Sequence, residues 1–284
     1  MSVTGAAATR APSITAGTPR PDQTARKALN RAAKFWFGMT VLGQSLFLLF
    51  ILAFYYPSTL SGNFVAWNTK PLIKGYQAGD VGGNFMFGVH VLMAALITGA
   101  GLVQLVPAIR TRWPTVHRWS GRIYLITALL LASGGLWMVW VRRSYMNLPG
   151  AIGITLDALL IFGCAAMAWY YARQRRFILH RRWALRTFVV ASAVWFMRVG
   201  YMAWGIASHG AGVGDAMNGP FDLFIAFANS LLPLAILEIY LWVQDRGSQK
   251  GHYAMAGLLV LCGVVIAGGS ASAWFVMWSP FIKL

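Results

Sequence analysis

Apolar stretches of about twenty residues, separated by short polar stretches, follow one another along the chain. An α-helix rises about 1.5 Å per residue, so a stretch of this length crosses the roughly 30 Å hydrocarbon core of a bilayer. The stretches lack the alternation of a lipid-facing β-strand. The pattern therefore predicts an all-α, polytopic transmembrane bundle of about seven helices, at residues 35–56, 84–106, 121–141, 151–171, 184–207, 220–243 and 254–278.

The composition agrees with a membrane location. Of the 284 residues, 58% are hydrophobic and only 11% are charged, whereas about a quarter of a soluble domain is charged. A formal net charge of +17 would suit a nucleic-acid partner if the cations lined one face of a domain. They lie instead between the apolar stretches, so the charge predicts topology and contact with a lipid bilayer, and no nucleic-acid binding.

Lys and Arg residues are distributed unequally between the two sides of the predicted bundle. The side that carries the N-terminus holds 18 of the 24. The other side holds Lys70, Lys74, Arg142, Arg143 and Lys283. Because loops rich in Lys and Arg stay in the cytoplasm, this asymmetry predicts a cytoplasmic N-terminus for a multi-pass protein of the bacterial inner membrane.

The chain divides into a tail and a membrane domain. Residues 1–34 are rich in Ala, Thr, Pro and Ser and carry six cations against the single acid Asp22, which predicts a disordered basic tail in the cytoplasm. Residues 35–284 form the predicted transmembrane domain, with a central four-helix unit at about 84–207. The polar connection at 57–83 is expected to fold over the outer mouth of the bundle. Its role and the oligomeric state stay open.

Three ionisable residues lie at similar depth inside predicted helices: His90, Asp157 and Arg198. Each needs an explanation, because inserting Asp or Arg at a helix centre costs roughly 2.5–3.5 kcal/mol. Asp157 could neutralise Arg198, with His90 nearby. In addition, His180 and Arg198 are 18 positions apart, about five turns of a straight helix, so they share one face of the predicted fifth helix. These residues predict a buried polar core.

Two predicted inner loops resemble each other. His117-Arg118-Trp119-Ser120-Gly121-Arg122 opens the third predicted helix, and His180-Arg181-Arg182-Trp183-Ala184-Leu185-Arg186 opens the fifth. Each has a His-Arg pair, then Trp, then Arg. A true repeat would relate two helical hairpins within the four-helix unit. Coincidence is the alternative, because inner loops commonly collect Arg, Trp and His.

Histidine is the usual axial ligand of a haem held between membrane helices. His117 can pair with His180 on the inner side, and His90 with His209 on the outer side, which gives two tiers for haem b. Alternatively, His117, His180 and the neighbouring Arg118, Arg122 and Arg181 contact lipid phosphate. Cys164 and Cys262 lie in apolar stretches and predict no disulfide and no metal site.

These residues resemble a known family. The turn His117-Arg118-x-x-Gly121-Arg122-x-Tyr124, the turn His180-Arg181-Arg182-Trp183, His90 and Arg198 are similar to the predicted membrane proteins called domain of unknown function 2306. The resemblance covers roughly 84–207 and implies no activity, but it makes these residues the first positions to test. A looser likeness to four-helix membrane b-type cytochromes rests on bundle size and paired histidines, although those cytochromes place their ligands deeper in the helices.

Two classes of function follow from these observations. The first is a membrane redox protein that holds haem b or exchanges electrons with a quinone, a metal or a membrane complex. The second is a non-enzymatic protein, either a carrier that uses the Asp157 and Arg198 core or an assembly factor. Whether the chain is an enzyme stays open.

Overall fold

The computed structural model describes residues 22–69, 75–145 and 147–282, and these are helical almost throughout, without a β-strand. The predicted all-α fold is therefore confirmed. The helices are α1 (Gln23–Phe50), α2 (Tyr56–Leu60), α3 (Val81–Leu105), α4 (Pro107–Arg112), α5 (Pro114–Trp140), α6 (Leu148–Arg173), α7 (Phe177–Ala191), α8 (Ala193–Ser208), α9 (Pro220–Arg246) and α10 (Gln249–Ser272).

The predicted membrane-spanning helices are present in the described part of the chain. Six helical stretches are long and apolar enough to cross a membrane, or up to seven if the bent pair α7 and α8 forms one span. The first begins earlier than expected. Asp22 caps α1 by accepting a hydrogen bond from the Ala25 backbone N–H at 2.7 Å, so the expected disordered tail is wrong for residues 23–34. Residues 1–21 lie outside the described residues.

The early start of α1 has a packing reason. Ala25, Leu29 and Ala32 recur at helical spacing and are buried. Leu29 and Ala32 lie in one apolar cluster with Met255 and two further residues of α10. The same spacing is visible in the sequence and would predict a helix, but the surrounding residues have the composition of a disordered segment.

Hydrogen bonds between helix ends define the two faces of the bundle. At one face, here called the N-terminal face, Gln249 donates a hydrogen bond to Asp22 and Arg182 donates one to Asp245. At the other end of the helices, here called the opposite face, Asn147 at the start of α6 donates a hydrogen bond to the Met217 carbonyl just before α9. Of the cations assigned to the sparsely charged side, Lys70, Lys74 and Lys283 lie outside the described residues.

Four helices, α3, α5, α6 and α7, share one apolar core. It contains Ile97, Tyr124, Ala128, Ala132, Ala158, Ile161, Cys164, Phe188, Val189 and Val190. The predicted four-helix unit at about 84–207 stays a prediction. The shared core ends at α7, because α8 packs against α9 and α10. α1 packs along α10 and touches α3, so the flanking helices close one side of the unit.

The fifth span is broken at Ser192, where α7 and α8 are bent by 55°. Ser192 is buried; its hydroxyl donates to the Phe188 carbonyl at 2.8 Å and accepts from Gln44 Nε2 of α1 at 2.9 Å. A serine that bonds back to the preceding turn bends a helix. The bend directs α8 away from α6 and toward α10.

The connection between α1 and α3 folds back onto the opposite face. Trp67 is buried, and its ring lies 5.2 Å from that of Phe87 in α3. Arg142, just after α5, bonds Asp80 at 2.8 Å and the Gly75 carbonyl at 3.0 Å. The described part of this connection is therefore held to the bundle at both ends.

Candidate functional site

The two His-Arg turns adopt the same local structure. His117 lies in the first turn of α5, and His180 lies in the first turn of α7. In each turn an arginine stacks on the tryptophan three residues earlier: Arg122 lies 4.9 Å from the Trp119 ring, and Arg186 lies 4.7 Å from the Trp183 ring. The resemblance between the loops thus extends to their geometry.

The His117 turn is fixed by α3. Gln104 Nε2 donates to the His117 carbonyl at 2.7 Å and contacts Ser120 Oγ at 2.5 Å. A Cβ on Gly121 would lie 3.1 Å from the Gln104 amide oxygen, and a Cβ on Gly101 would lie 3.0 Å from the Tyr124 ring. The glycines therefore allow close contact between α3 and α5.

His117 and His180 lie in the first turns of two helices that both pack against α6. The charges of Arg110 and His180 both act on the His117 ring, and the pairing of the two histidines stays a prediction. His180 Nδ1 is 2.9 Å from the Ala168 carbonyl oxygen. A carbonyl only accepts, so this contact assigns the proton to Nδ1 and leaves the Nε2 lone pair of His180 free. His117 Nδ1 is buried and has no hydrogen-bond partner among the described residues.

The predicted basic residues Arg118, Arg122 and Arg181 are exposed near these turns. Two other arginines of α7 form ion pairs with α9. Arg182 pairs with Asp245 at 2.6 Å, and Arg186 pairs with Glu238 at 2.6 Å. The turn of α7 is therefore held by α9 as well as by α6.

The predicted neutralisation of Arg198 by Asp157 does not occur. Arg198 donates to the Val194 carbonyl at 2.9 Å, and its guanidinium lies 5.4 Å from the Phe47 ring of α1. Asp157 Oδ1 is buried without a hydrogen-bond partner. The two side chains therefore belong to different parts of the bundle.

The predicted outer pair of His90 and His209 is also wrong. His90 lies against α5, with Nδ1 3.6 Å from the position of a Cβ on Gly134. His209 is exposed and ends α8 in the left-handed conformation, with φ of 54°. It acts as the C-terminal cap of α8.

The predicted shared face of His180 and Arg198 is also wrong, because of the bend at Ser192. Placing these two residues on one face assumes a straight helix, but the 55° bend separates their two segments. α7 keeps His180 against α6, whereas α8 directs Arg198 toward α1. No proline or glycine lies at positions 191–193 to mark the break.

One comparison with known proteins bears on these turns. Residues 87–212 match the model of the family described as predicted membrane protein (DUF2306). The resemblance inferred from the sequence is thereby confirmed. No curated protein and no solved structure is detectably similar to the chain. The DUF2306 region contains both His-Arg turns, His90, Asp157, the bend at Ser192 and Arg198.

A second polar group lies where the DUF2306 region meets α9. A Cβ on Gly153 of α6 would collide with the Ala226 carbonyl of α9, so the two helices touch there. Both helices start at the opposite face, and one turn further along lie Asp157 on α6 and Ser230 on α9. Ser230 Oγ and the neighbouring Asn229 Oδ1, like Asp157 Oδ1, are buried and have no hydrogen-bond partner in the ranges that the structure describes. The sequence signalled Asp157 but not its position against α9.

Metal binding by a larger side-chain cluster is not indicated. Among the described residues, no group of three or more His, Cys, Asp and Glu side chains could hold a metal ion. Cys164 and Cys262 are both free thiols.

Proposed function

We propose that this integral membrane protein transfers electrons through a haem b held by His117 and His180. The observation that supports the proposal is the orientation of His180 by the Ala168 carbonyl, together with the position of both histidines in first turns of helices that pack against α6. A metal-ligating histidine commonly donates its second ring N–H to a carbonyl, which directs Nε2 at the metal. The proposal needs a single pair of haem ligands, whereas the sequence predicted an inner and an outer pair.

The surroundings of the pair suit a haem. Two imidazoles are a common ligand set for b-type haem in membranes, and α5 and α7 each pack against α6. Arg110 lies within electrostatic range of His117, so it offers a cation for the propionates of a haem. Haem would supply the one-electron chemistry, and the chain would orient its ligands.

An absorption spectrum tests this proposal. The protein is expressed with haem supplied and is purified in detergent. We expect a Soret band and reduced-state bands in the wild type, and their loss in His117→Ala and His180→Ala. His209→Ala is the matched control, because that exposed helix cap lies away from the pair. A wild type without bound haem, or His180→Ala with a full spectrum, would contradict the proposal.

A second candidate function is that of a carrier for protons or small cations, favoured by the unpaired Asp157 beside α9. A carboxylate without a partner inside a membrane bundle is most often part of a transport path. Asp157→Asn should abolish proton or cation flux into proteoliposomes while leaving any haem spectrum intact. The exposed Asp215→Asn is the control. Equal flux in Asp157→Asn and the wild type would exclude this candidate.

We also propose the location and orientation. The unequal distribution of Lys and Arg supports a cytoplasmic N-terminus in a bacterial inner membrane. The His117 and His180 pair would then lie near the cytoplasmic face. A membrane quinone or a membrane complex is the partner class with which such a haem would exchange electrons.

A further inference from the structure

A group of unpartnered hydrogen-bond donors lies between α1, α8, α10 and the connection after α2, away from the histidine pair. Trp67, Trp195 and Trp278 are 2%, 3% and 0% exposed and belong to one apolar cluster. Within the described part of the chain, each indole Nε1 is buried without a hydrogen-bond partner, and so is Ser270 Oγ. With Arg198, these four residues form what we call the donor cluster.

Arg198 is the charged member of the donor cluster. Its guanidinium lies 5.4 Å from the Phe47 ring, and that ring lies 5.3 Å from the ring of Trp278. Tyr55 is within electrostatic range of the guanidinium. Among the described residues, Arg198 forms no ion pair with an acid. The hydrogen bond that Arg198 donates to the Val194 carbonyl leaves most of its N–H groups available among the described residues.

Ser270 and Trp195 of the donor cluster lie one turn of α1 away from Phe47. A Cβ on Gly43 would collide with Ser270 Oγ and would lie 2.7 Å from the Trp195 ring, so both side chains converge on Gly43. Gly43 is one turn of α1 before Phe47, the residue under Arg198. Trp195 and Arg198 are likewise one turn apart on α8. Ser270, Trp195, Arg198 and Trp278 therefore lie against one region of α1, whereas Trp67 lies at the edge of the donor cluster, against Gly88 of α3.

The donor cluster offers hydrogen-bond donors and almost no acceptors. Indole and guanidinium groups donate hydrogen bonds and accept none, and only the Ser270 hydroxyl can do both. Buried polar groups in proteins are nearly always paired. In a bilayer there is no water in the hydrocarbon core to satisfy them. A ligand that satisfies this group must supply acceptor oxygens and must itself reach the region through lipid.

We propose that the donor cluster binds a lipid-soluble molecule through an oxygen that accepts hydrogen bonds, either the carboxylate of a fatty acid or the carbonyl of a quinone. Arg198 contacts this oxygen, and the aromatic side chains around it surround the apolar body. The charge of Arg198 favours the carboxylate. This site is independent of the haem proposal, because it is built from other helices.

Quenching of tryptophan fluorescence in the purified full chain tests this proposal. The probes are dibromostearate for the carboxylate and decylubiquinone for the carbonyl. We expect saturable binding in the wild type. Arg198→Gln should weaken binding by about 10- to 100-fold, because a charge-assisted hydrogen bond is lost. Trp195→Phe, which keeps an aromatic ring and removes the N–H, should weaken it about 5- to 10-fold.

Matched controls distinguish this result from nonspecific partition. Trp204→Phe removes an indole that already donates to the Ala211 carbonyl at 2.7 Å. Arg122→Gln removes an exposed arginine that also stacks on an aromatic ring. Both should bind the probes as the wild type does. If Arg198→Gln does not accumulate, Arg198→Lys serves in its place, with weaker binding expected because it keeps the charge but loses the planar fork.

The outcomes separate the two ligand classes and the two proposals. Saturable binding of dibromostearate alone identifies the carboxylate, and binding of decylubiquinone alone identifies the quinone. Unchanged affinity in both Arg198→Gln and Trp195→Phe, or absence of saturable binding of either probe, would overturn the inference. The haem spectrum of these variants should equal that of the wild type, so failure of one proposal leaves the other intact.

Discussion

Ser192 determines which residues can meet in the fifth span. Its hydroxyl bonds the preceding turn of α7 and accepts the Gln44 amide of α1, so one small side chain joins the bend to a neighbouring helix. Gln44 is 3% exposed. The bend then allows His180 to face α6 while Arg198 faces α1. Both candidate sites depend on this residue.

Replacing Ser192 by alanine should therefore destabilise the protein. The buried Gln44 amide would lose its acceptor, and leaving such a group unpaired costs about 1–3 kcal/mol. Thermal unfolding in detergent measures this. Ser208→Ala is the control, because Ser208 makes the same bond to the preceding turn, at 2.8 Å, but has no partner on another helix. Equal stability of the two variants would contradict the role of Ser192.

Residue patterns predicted local contacts well and distant contacts poorly. The His117 to Tyr124 turn was singled out from its letters, and Gly121 and Tyr124 do contact α3. The pairing of Asp157 with Arg198 failed, because equal depth along helices does not say which helices are neighbours. The bend at Ser192 depends on a serine and on the distant Gln44, so the residues around position 192 do not reveal it in the sequence. The predicted roles of the site residues stay predictions.

At the scale of elements, the connection from α2 to α3 is fixed by one cation. Arg142 follows α5, and its side chain is 3% exposed. It bonds Asp80, Asn84 and the Gly75 carbonyl. The sequence predicted that this connection folds over the mouth of the bundle. The anchor could not be foreseen, because three helices, α3, α4 and α5, separate Arg142 from Asp80 in the chain.

The attachment of this connection should weaken in acid. Hydrogen bonds from the Gly83 backbone N–H and then from Arg142 hold the pKa of Asp80 below its ordinary value of 3.8. Because the pKa of Asp80 is lowered, its carboxylate stabilises the attachment fully when the pH is above the ordinary pKa. This stabilisation is lost as the pH falls through the lowered pKa. Amide hydrogen exchange at residues 57–69 and 75–80, corrected for the intrinsic effect of pH on exchange, should therefore be less protected at about pH 2 than at about pH 5.

Two variants test the cause of that pH dependence. Arg142→Gln should lower the protection of these residues at both pH values, whereas the exposed neighbour Arg143→Gln should behave as the wild type does. Asp80→Asn should remove the difference in protection that the carboxylate causes. Wild-type protection of Arg142→Gln at about pH 5 would contradict the anchoring role.

At the scale of the whole molecule, the apolar pattern predicted the order of the spans, and the excess of Lys and Arg predicted their orientation. The lateral arrangement could not be read in this way, because apolar faces that contact lipid and apolar faces that contact protein look alike in sequence. The assignment of every site to a face requires that the bent pair α7 and α8 crosses the membrane as one span.

A reporter fused to the C-terminus of the full chain tests this most directly. With seven spans and a cytoplasmic N-terminus, we predict an active alkaline phosphatase fusion and a dark green fluorescent protein fusion, because the C-terminus lies in the periplasm. If α7 and α8 instead form a re-entrant loop, six spans return the C-terminus to the cytoplasm. A fluorescent fusion with inactive phosphatase would therefore contradict the seven-span arrangement.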